Sequence, residues 1–247
     1  MSEVFINIDG VSAGYGKTKV LRDISLQVKR GETYGLIGLN GAGKTTLLKI
    51  LLGLKDAKSG SVLIDGEPAG STQAKKRLAY LPERFDPAWF LNAYEFIDFT
   101  TSLYGQKVRR ADVDAMALKL GLNVSYLSKL ARTYSKGMRQ KLGLMATFLT
   151  SCPLMILDEP MSGLDPRARA QVKNLMIEAS EQGRTIFLSS HILSDLEELC
   201  GNIAVLHDGN LVFVGSPDGL LNQTGEPYLE KAFLKAIEVP ENGQKAA

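Results

Sequence analysis

The chain has 247 residues, 45% of them hydrophobic and 23% charged, an ordinary globular mix long enough for a substantial core in one or two domains. A formal net charge of +2 is too small to argue for a nucleic-acid partner. The two cysteines, Cys152 and Cys200, lack metal-ligand spacing and read as reduced, small apolar residues, and residues 1–9 lack the basic segment and apolar run of a signal peptide.

In chain order, the first part is strand-rich. Val4, Ile6 and Ile8 recur at every second position, as do Ile24, Leu26 and Val28 before a Lys29-Arg30-Gly31 turn. Residues 34–37 form a short buried strand that runs directly into a glycine-rich loop. A helix starts near Gly43, carries Leu47, Leu48, Ile50, Leu51 and Leu52, and stops at Gly53. Its apolar run is broken by Lys49 and is too short to cross a bilayer. Residues 61–64, with a turn at Asp65-Gly66, and residues 78–81, ended by Pro82, are further strands. Residues 85–150 turn helical, with Phe85, Trp89, Phe90, Tyr94, Phe96, Phe99 and Tyr104 early on. About half of these aromatics are expected in the core of a helical insertion.

Beyond it, strands alternate with helices. Residues 154–157 lead to a helix with Val172, Leu175, Met176 and Ala179 on one face, and residues 185–189 follow as a strand. That alternation predicts a parallel sheet with crossover helices. Residues 203–207 and 211–214 flank Asp208-Gly209-Asn210 as a hairpin, and a short helix spans about 228–237. The expected organisation is residues 1–84 and 151–225 as core and β subdomain, 85–150 as helical subdomain, 226–240 as a C-terminal helix and 241–247 as a flexible tail.

The residues that carry chemistry begin at Gly38-Leu39-Asn40-Gly41-Ala42-Gly43-Lys44-Thr45-Thr46, a complete G-x-x-x-x-G-K-[ST] pattern. Glycines let such a loop curl its N–H groups onto phosphate oxygens. Lys44 would reach the β- and γ-phosphates of ATP, and Thr45 would coordinate Mg2+. Asp158 ends an apolar strand, where a carboxylate emerges from the core to hold Mg2+ through water. Glu159 beside it would polarise the attacking water. A Ser/Gly-rich turn at residues 134–138 opens a helix and can offer N–H groups to an anion.

The order of these motifs, with Tyr134-Ser135-Lys136-Gly137-Met138, Asp158-Glu159-Pro160 and Ser162-Gly163-Leu164-Asp165-Pro166, resembles the ATP-binding subunit of ABC transporters, of exporter type. The resemblance spans Tyr15 to His191. It implies an α/β P-loop NTPase core with an N-terminal antiparallel β subdomain and an inserted α-helical subdomain. It also implies an ATPase in which two copies, or one copy and a related ATPase subunit, close head to tail around two ATP molecules. Ser135, Lys136 and Gly137 would then face the partner's γ-phosphate, Asp165 would link the two sites besides capping its helix, His191 would contact the γ-phosphate, and Tyr15 would stack on adenine.

Three positions depart from the common pattern. Lys136 and Met138 replace a glycine and a glutamine in the signature, and Glu83 stands where a glutamine is usual. A carboxylate at 83 can still approach Mg2+, but it repels the γ-phosphate. The implied partners are integral membrane permease subunits, with residues 85–104 as the docking surface, no nucleic acid, and a place on the cytoplasmic face of the membrane. Alternatives are a soluble ABC ATPase acting on ribosomes or DNA, which would usually show two such domains or long heptad insertions, and the ATPase of an importer.

Overall fold

A computed structural model describes residues 4–238. The end of the expected C-terminal helix and the expected tail, residues 239–247, lie outside the described residues. In chain order the first elements are β1 (Val4–Tyr15), β2 (Thr18–Lys29), β3 (Thr33–Ile37), α1 (Lys44–Leu51), β4 (Ser59–Ile64) and β5 (Glu67–Pro68). The middle holds α2 (Thr72–Lys76), β6 (Leu78–Leu81), α3 (Ala93–Ser102), α4 (Arg110–Lys119), α5 (Lys136–Phe148), β7 (Leu154–Asp158), α6 (Pro166–Glu181) and β8 (Thr185–Ser189). The last are α7 (Leu193–Leu199), β9 (Asn202–His207), β10 (Asn210–Gly215), α8 (Pro217–Thr224) and α9 (Leu229–Glu238).

Contacts divide the chain into two compact units, one of residues 29–32 and 71–189 and the other of residues 4–28, 33–70 and 190–238. In the first, β6, β7 and β8 are parallel neighbours in register, Leu81 opposite Leu157 and Asp158 opposite Ser189. All five residues of β7 and all five of β8 are buried, which is why neither alternates: β7 is apolar up to Asp158, and β8 carries Ile186, Phe187 and Leu188 in a row. Val172, Leu175, Met176 and Ala179 form the buried face of α6, at the 3.6-residue period. Asp165 caps that helix by accepting from Ala168 N at 2.9 Å, with Pro166 in its first turn. A reciprocal capping box fixes the start of α3: Asn92 accepts from Glu95 N at 3.1 Å, and Glu95 accepts from Asn92 N at 2.9 Å.

Helices α3, α4 and α5 pack on one another, and their core is aliphatic: Ala93, Ile97, Val113, Ala117, Leu142 and Met145 are buried. The expectation that about half of the early aromatics would be core is corrected. None is fully buried; Phe85, Tyr94, Phe96 and Tyr104 are half-buried, and Trp89, Phe90 and Phe99 are exposed. The Phe85 ring lies over Gly143 of α5, where a Cβ would stand 2.8 Å from it, and aliphatic side chains fill the space between these helices. The tyrosine hydroxyls stay at its margin, where Tyr94 reaches Asp114 at 2.5 Å and Tyr104 reaches Leu78 O at 3.1 Å.

The second unit holds an antiparallel sheet in the order β2-β1-β4-β5, with Ile24, Leu26 and Val28 alternating into its core. It also holds β3 paired parallel with β9, and β9 paired antiparallel with β10. Asp208 and Gly209 turn this hairpin with positive φ at both, 45° and 80°, the geometry of a two-residue type I′ loop. Helix α8 escapes a reading based on hydrophobic period, but its caps spell it out: Ser216 accepts from Gly219 N, Pro217 follows, and Gly225 closes it at φ 71°. The two units together supply the antiparallel sheet, the parallel strands and the helical segment of the expected α/β fold. Among the described residues, no helix is long and apolar enough to cross a membrane.

Candidate functional site

The phosphate loop lies where its strand–loop–helix signature places it, between β3 and α1. Its glycines are required by space as much as by torsion. A Cβ at Gly38 would stand 2.5 Å from Leu206 O, and Gly43 has φ 114° with Leu21 and Val20 closing over it. The loop is thus pinned between β9 and β2 at both ends, while Leu39, Asn40 and Gly41 at its tip are exposed. Lys44 Nζ donates to Gly38 O at 2.6 Å and reaches Leu39 O at 3.4 Å, so the ammonium is folded over the carbonyls of its own loop. Ala42, Gly43 and Thr46 are buried, whereas Thr45 is exposed at the first turn of α1. In the same unit Tyr15 is exposed, with Lys55 Nζ 4.2 Å from its ring centroid, and His191 is exposed two residues after β8.

In the other unit, Asp158 and Glu159 are both buried at the end of β7. Glu159 has φ 49°, a left-handed backbone that a residue with a Cβ adopts at a cost of about 1–3 kcal/mol. Its N–H lies 3.2 Å from both the carbonyl and the hydroxyl oxygen of Ser189, and that hydroxyl donates to Asp158 Oδ1 at 2.5 Å. The loop beyond is held by buried Gln140 of α5, whose Nε2 donates to Pro160 O at 3.0 Å. Tyr80 on β6 registers the charges nearby. Burial first, then the negative charges of Asp158 and Glu83, push its hydroxyl up to about 12. Glu83 itself is exposed.

Also in this unit, the Ser135 turn and the 163–165 loop line one cavity of about 310 Å3, together with Met138 and Lys141. Ser135 caps α5 through Met138 N at 3.2 Å. The start of α5, at Ser135, Gly137 and Met138, and Asp165 therefore border the same space. Hydrogen bonding to Ala168 N, aided by the positive charges of Lys141 and Arg167, holds the Asp165 carboxyl below the usual carboxylate range. Of the two signature substitutions, Lys136 lays its side chain along Gly163, within 3.3 Å of where a Cβ there would sit, and Met138 lines the cavity. Tyr134 does not face the cavity chemically. It is buried, and its hydroxyl donates to Tyr126 O at 2.8 Å as an anchor for the turn.

Two functional candidates escaped the sequence reading. Gln140 follows the signature at a spacing that could have suggested it, and Ser189 heads a Ser-Ser-His run that drew attention only to its histidine. The cysteines are buried, as their apolar reading requires, and burial raises the Cys152 thiol.

A strand, a glycine-pinned phosphate loop and a helix, with an aspartate ending an apolar parallel strand, define a P-loop nucleotide-binding protein. Comparison with known proteins narrows the class. The family model described as "ABC transporter" matches residues 21–162, and the chain belongs to that family. It is 32% identical to the lantibiotic transport ATP-binding protein SrtF of Streptococcus pyogenes, over 94% of this chain and 97% of that protein. It is 45% identical, over 81% of its length, to an uncharacterized ABC transporter ATP-binding protein of Synechocystis sp., of which it spans 57%. A solved ATP-binding subunit of an ABC transporter superposes with a TM-score of 0.86 at 32% identity, covering 94% of this chain and 99% of that one.

Proposed function

We propose that this chain binds and hydrolyses ATP as the nucleotide-binding subunit of an ABC transporter, and that ATP-driven closure of two such subunits moves a membrane partner between its states. The observation that carries the reading is the end of β7, where a buried Asp-Glu pair is held by Ser189 with the glutamate in a left-handed backbone. A solvated strand end needs no such arrangement. In this reading Gly38, Asn40, Gly41, Ala42, Gly43, Lys44, Thr45 and Thr46 hold the phosphates, and Glu159 orients the attacking water by accepting its proton. His191 contacts the γ-phosphate. Adenine stacks on the face of Tyr15 that Lys55 leaves, or displaces Lys55.

Asp158 and Glu83 in one unit, and Thr45 in the other, each offer hard oxygen donors of the kind that suits Mg2+, which prefers one or two carboxylates together with substrate phosphates. When bound, Mg2+ would neutralise charge developing on the β- and γ-oxygens. Ser135, Lys136 and Gly137 meet the γ-phosphate bound by the partner subunit, and Asp165 carries the state of one site to the other. The common cavity of the Ser135 turn and Asp165 supports this pairing of roles.

The membrane partner, integral permease subunits at the cytoplasmic face, docks on exposed Trp89 and Phe90, which are 62% and 59% accessible, with Phe99 nearby in sequence. The run Leu81-Pro82-Glu83, the Tyr134–Met138 signature and residues 229–234 favour export over import. Light scattering tests closure: E159Q should be a monomer without nucleotide and a dimer with ATP, and a monomer at every ATP concentration would overturn the proposal. Trp89→Ser with Phe90→Ser should abolish transport while leaving ATP affinity unchanged. Loss of cooperative unfolding in that variant would return both aromatics to the core.

A further inference from the structure

We infer that Ser189 is a positioning residue for ATP hydrolysis, its single hydroxyl fixing both the carboxylate of Asp158 and the backbone of Glu159. The inference rests on the roles proposed above for those two residues. Ser189 is the last residue of β8, has 0% accessibility, and stands directly opposite Asp158 in the parallel register of β7 and β8. Its Oγ lies 2.5 Å from Asp158 Oδ1 and 3.2 Å from Glu159 N.

The direction of each bond follows from the groups themselves. An ionised carboxylate only accepts and a backbone N–H only donates, so the serine proton points at Asp158 and a serine lone pair receives Glu159 N–H. Only a side chain that donates and accepts from one atom can serve both neighbours at once. The two bonds act on different things. The charge-assisted one sets the orientation of the Asp158 carboxylate. The other, with the Ser189 carbonyl at 3.2 Å, holds Glu159 at φ 49°, a conformation disfavoured for any residue with a Cβ. The direction in which the Glu159 side chain leaves the strand end therefore depends on a hydroxyl from the neighbouring strand. Loss of the hydroxyl should disturb the aim of the catalytic carboxylate and leave the phosphate loop, which belongs to the other unit, as it was.

The test compares Ser189→Ala, Ser189→Thr and Ser189→Cys in the full chain. It measures steady-state ATP hydrolysis, the Kd for a fluorescent ATP analogue without Mg2+, and thermal unfolding. Ser189→Ala should lower kcat at least tenfold, keep the metal-free Kd within twofold of the parent and unfold cooperatively. Ser189→Thr, which keeps donor and acceptor, should recover kcat to within about threefold. Ser189→Cys, isosteric but weak in both roles, should fall between and serves if the extra methyl of threonine prevents folding. A kcat for Ser189→Ala within twofold of the parent would overturn the inference. So would a loss of kcat matched by a loss of metal-free affinity, or Thr and Cys variants that fold yet are as slow as alanine. E159Q in the same assay separates the two levels: turnover retained there removes Glu159 from its role, whereas a slow E159Q beside an unaffected Ser189→Ala removes only Ser189.

Discussion

Within one unit of the molecule, two candidate functional regions are built in opposite ways. The end of β7 is buried and fixed by side chains: Asp158, Glu159, Ser189 and Gln140 are all buried, and each bond is made across neighbouring elements. The Ser135 turn and the Asp165 loop lie open around their cavity, each capping the start of its own helix, with Tyr134 anchoring the turn from behind. The difference teaches where rigidity is needed. Proton transfer tolerates little displacement, so its groups sit on strand ends whose partners over-determine them. A surface that must meet another subunit and release it is built from helix starts, whose N–H groups are already oriented and lack intrahelical partners, so that an incoming anion can complete them.

The largest effect expected from this contrast is at Glu159. E159Q should slow phosphate release at least about 100-fold, within the range for loss of a general base, with ATP affinity unchanged. Unaltered turnover would mean that the buried region is rigid for reasons other than chemistry. Next is Ser135→Ala on the open side. It should remove ATP-dependent dimerisation while leaving the ATP affinity of the single subunit intact, and should cost about 1 kcal/mol from the lost cap. A dimer that forms normally would make the cavity a feature of the fold alone.

Asp165→Ala should likewise cost about 1 kcal/mol in denaturant unfolding, whereas Asp165→Asn, an equally good cap, should cost little. If Asn and Ala weaken coupling between subunits equally while differing in stability, the charge and the cap serve separate ends. The last effect is absent at neutral pH and emerges only in alkali. Burial raises Tyr80, Tyr104 and Tyr134 to about 12 from an unfolded value of 10.0. The folded chain therefore keeps protons that the unfolded chain releases, and stability falls as pH rises from 10 towards 12. Tyr104→Phe should flatten that slope in thermal melts. An unchanged slope would show that its phenol ionises as readily in the folded protein.

The sequence by itself determined the chemistry-bearing loop, the strand ending in Asp158 and the face of α6, because each is a local pattern. A phosphate loop is written in consecutive residues, a buried parallel strand in an unbroken apolar run, and a helix face in a 3.6-residue period. It also determined the hairpin at Asp208-Gly209, since a two-residue turn with positive φ at both positions selects its residues. Tertiary structure alone decided which aromatics of residues 85–104 reach the surface, because accessibility depends on what the neighbouring helices already fill. It alone decided that Ser189 faces Asp158 from 31 residues away. Strand register carries that contact, and a register between parallel strands is set by the packing of both faces of the sheet, which no stretch of consecutive residues records.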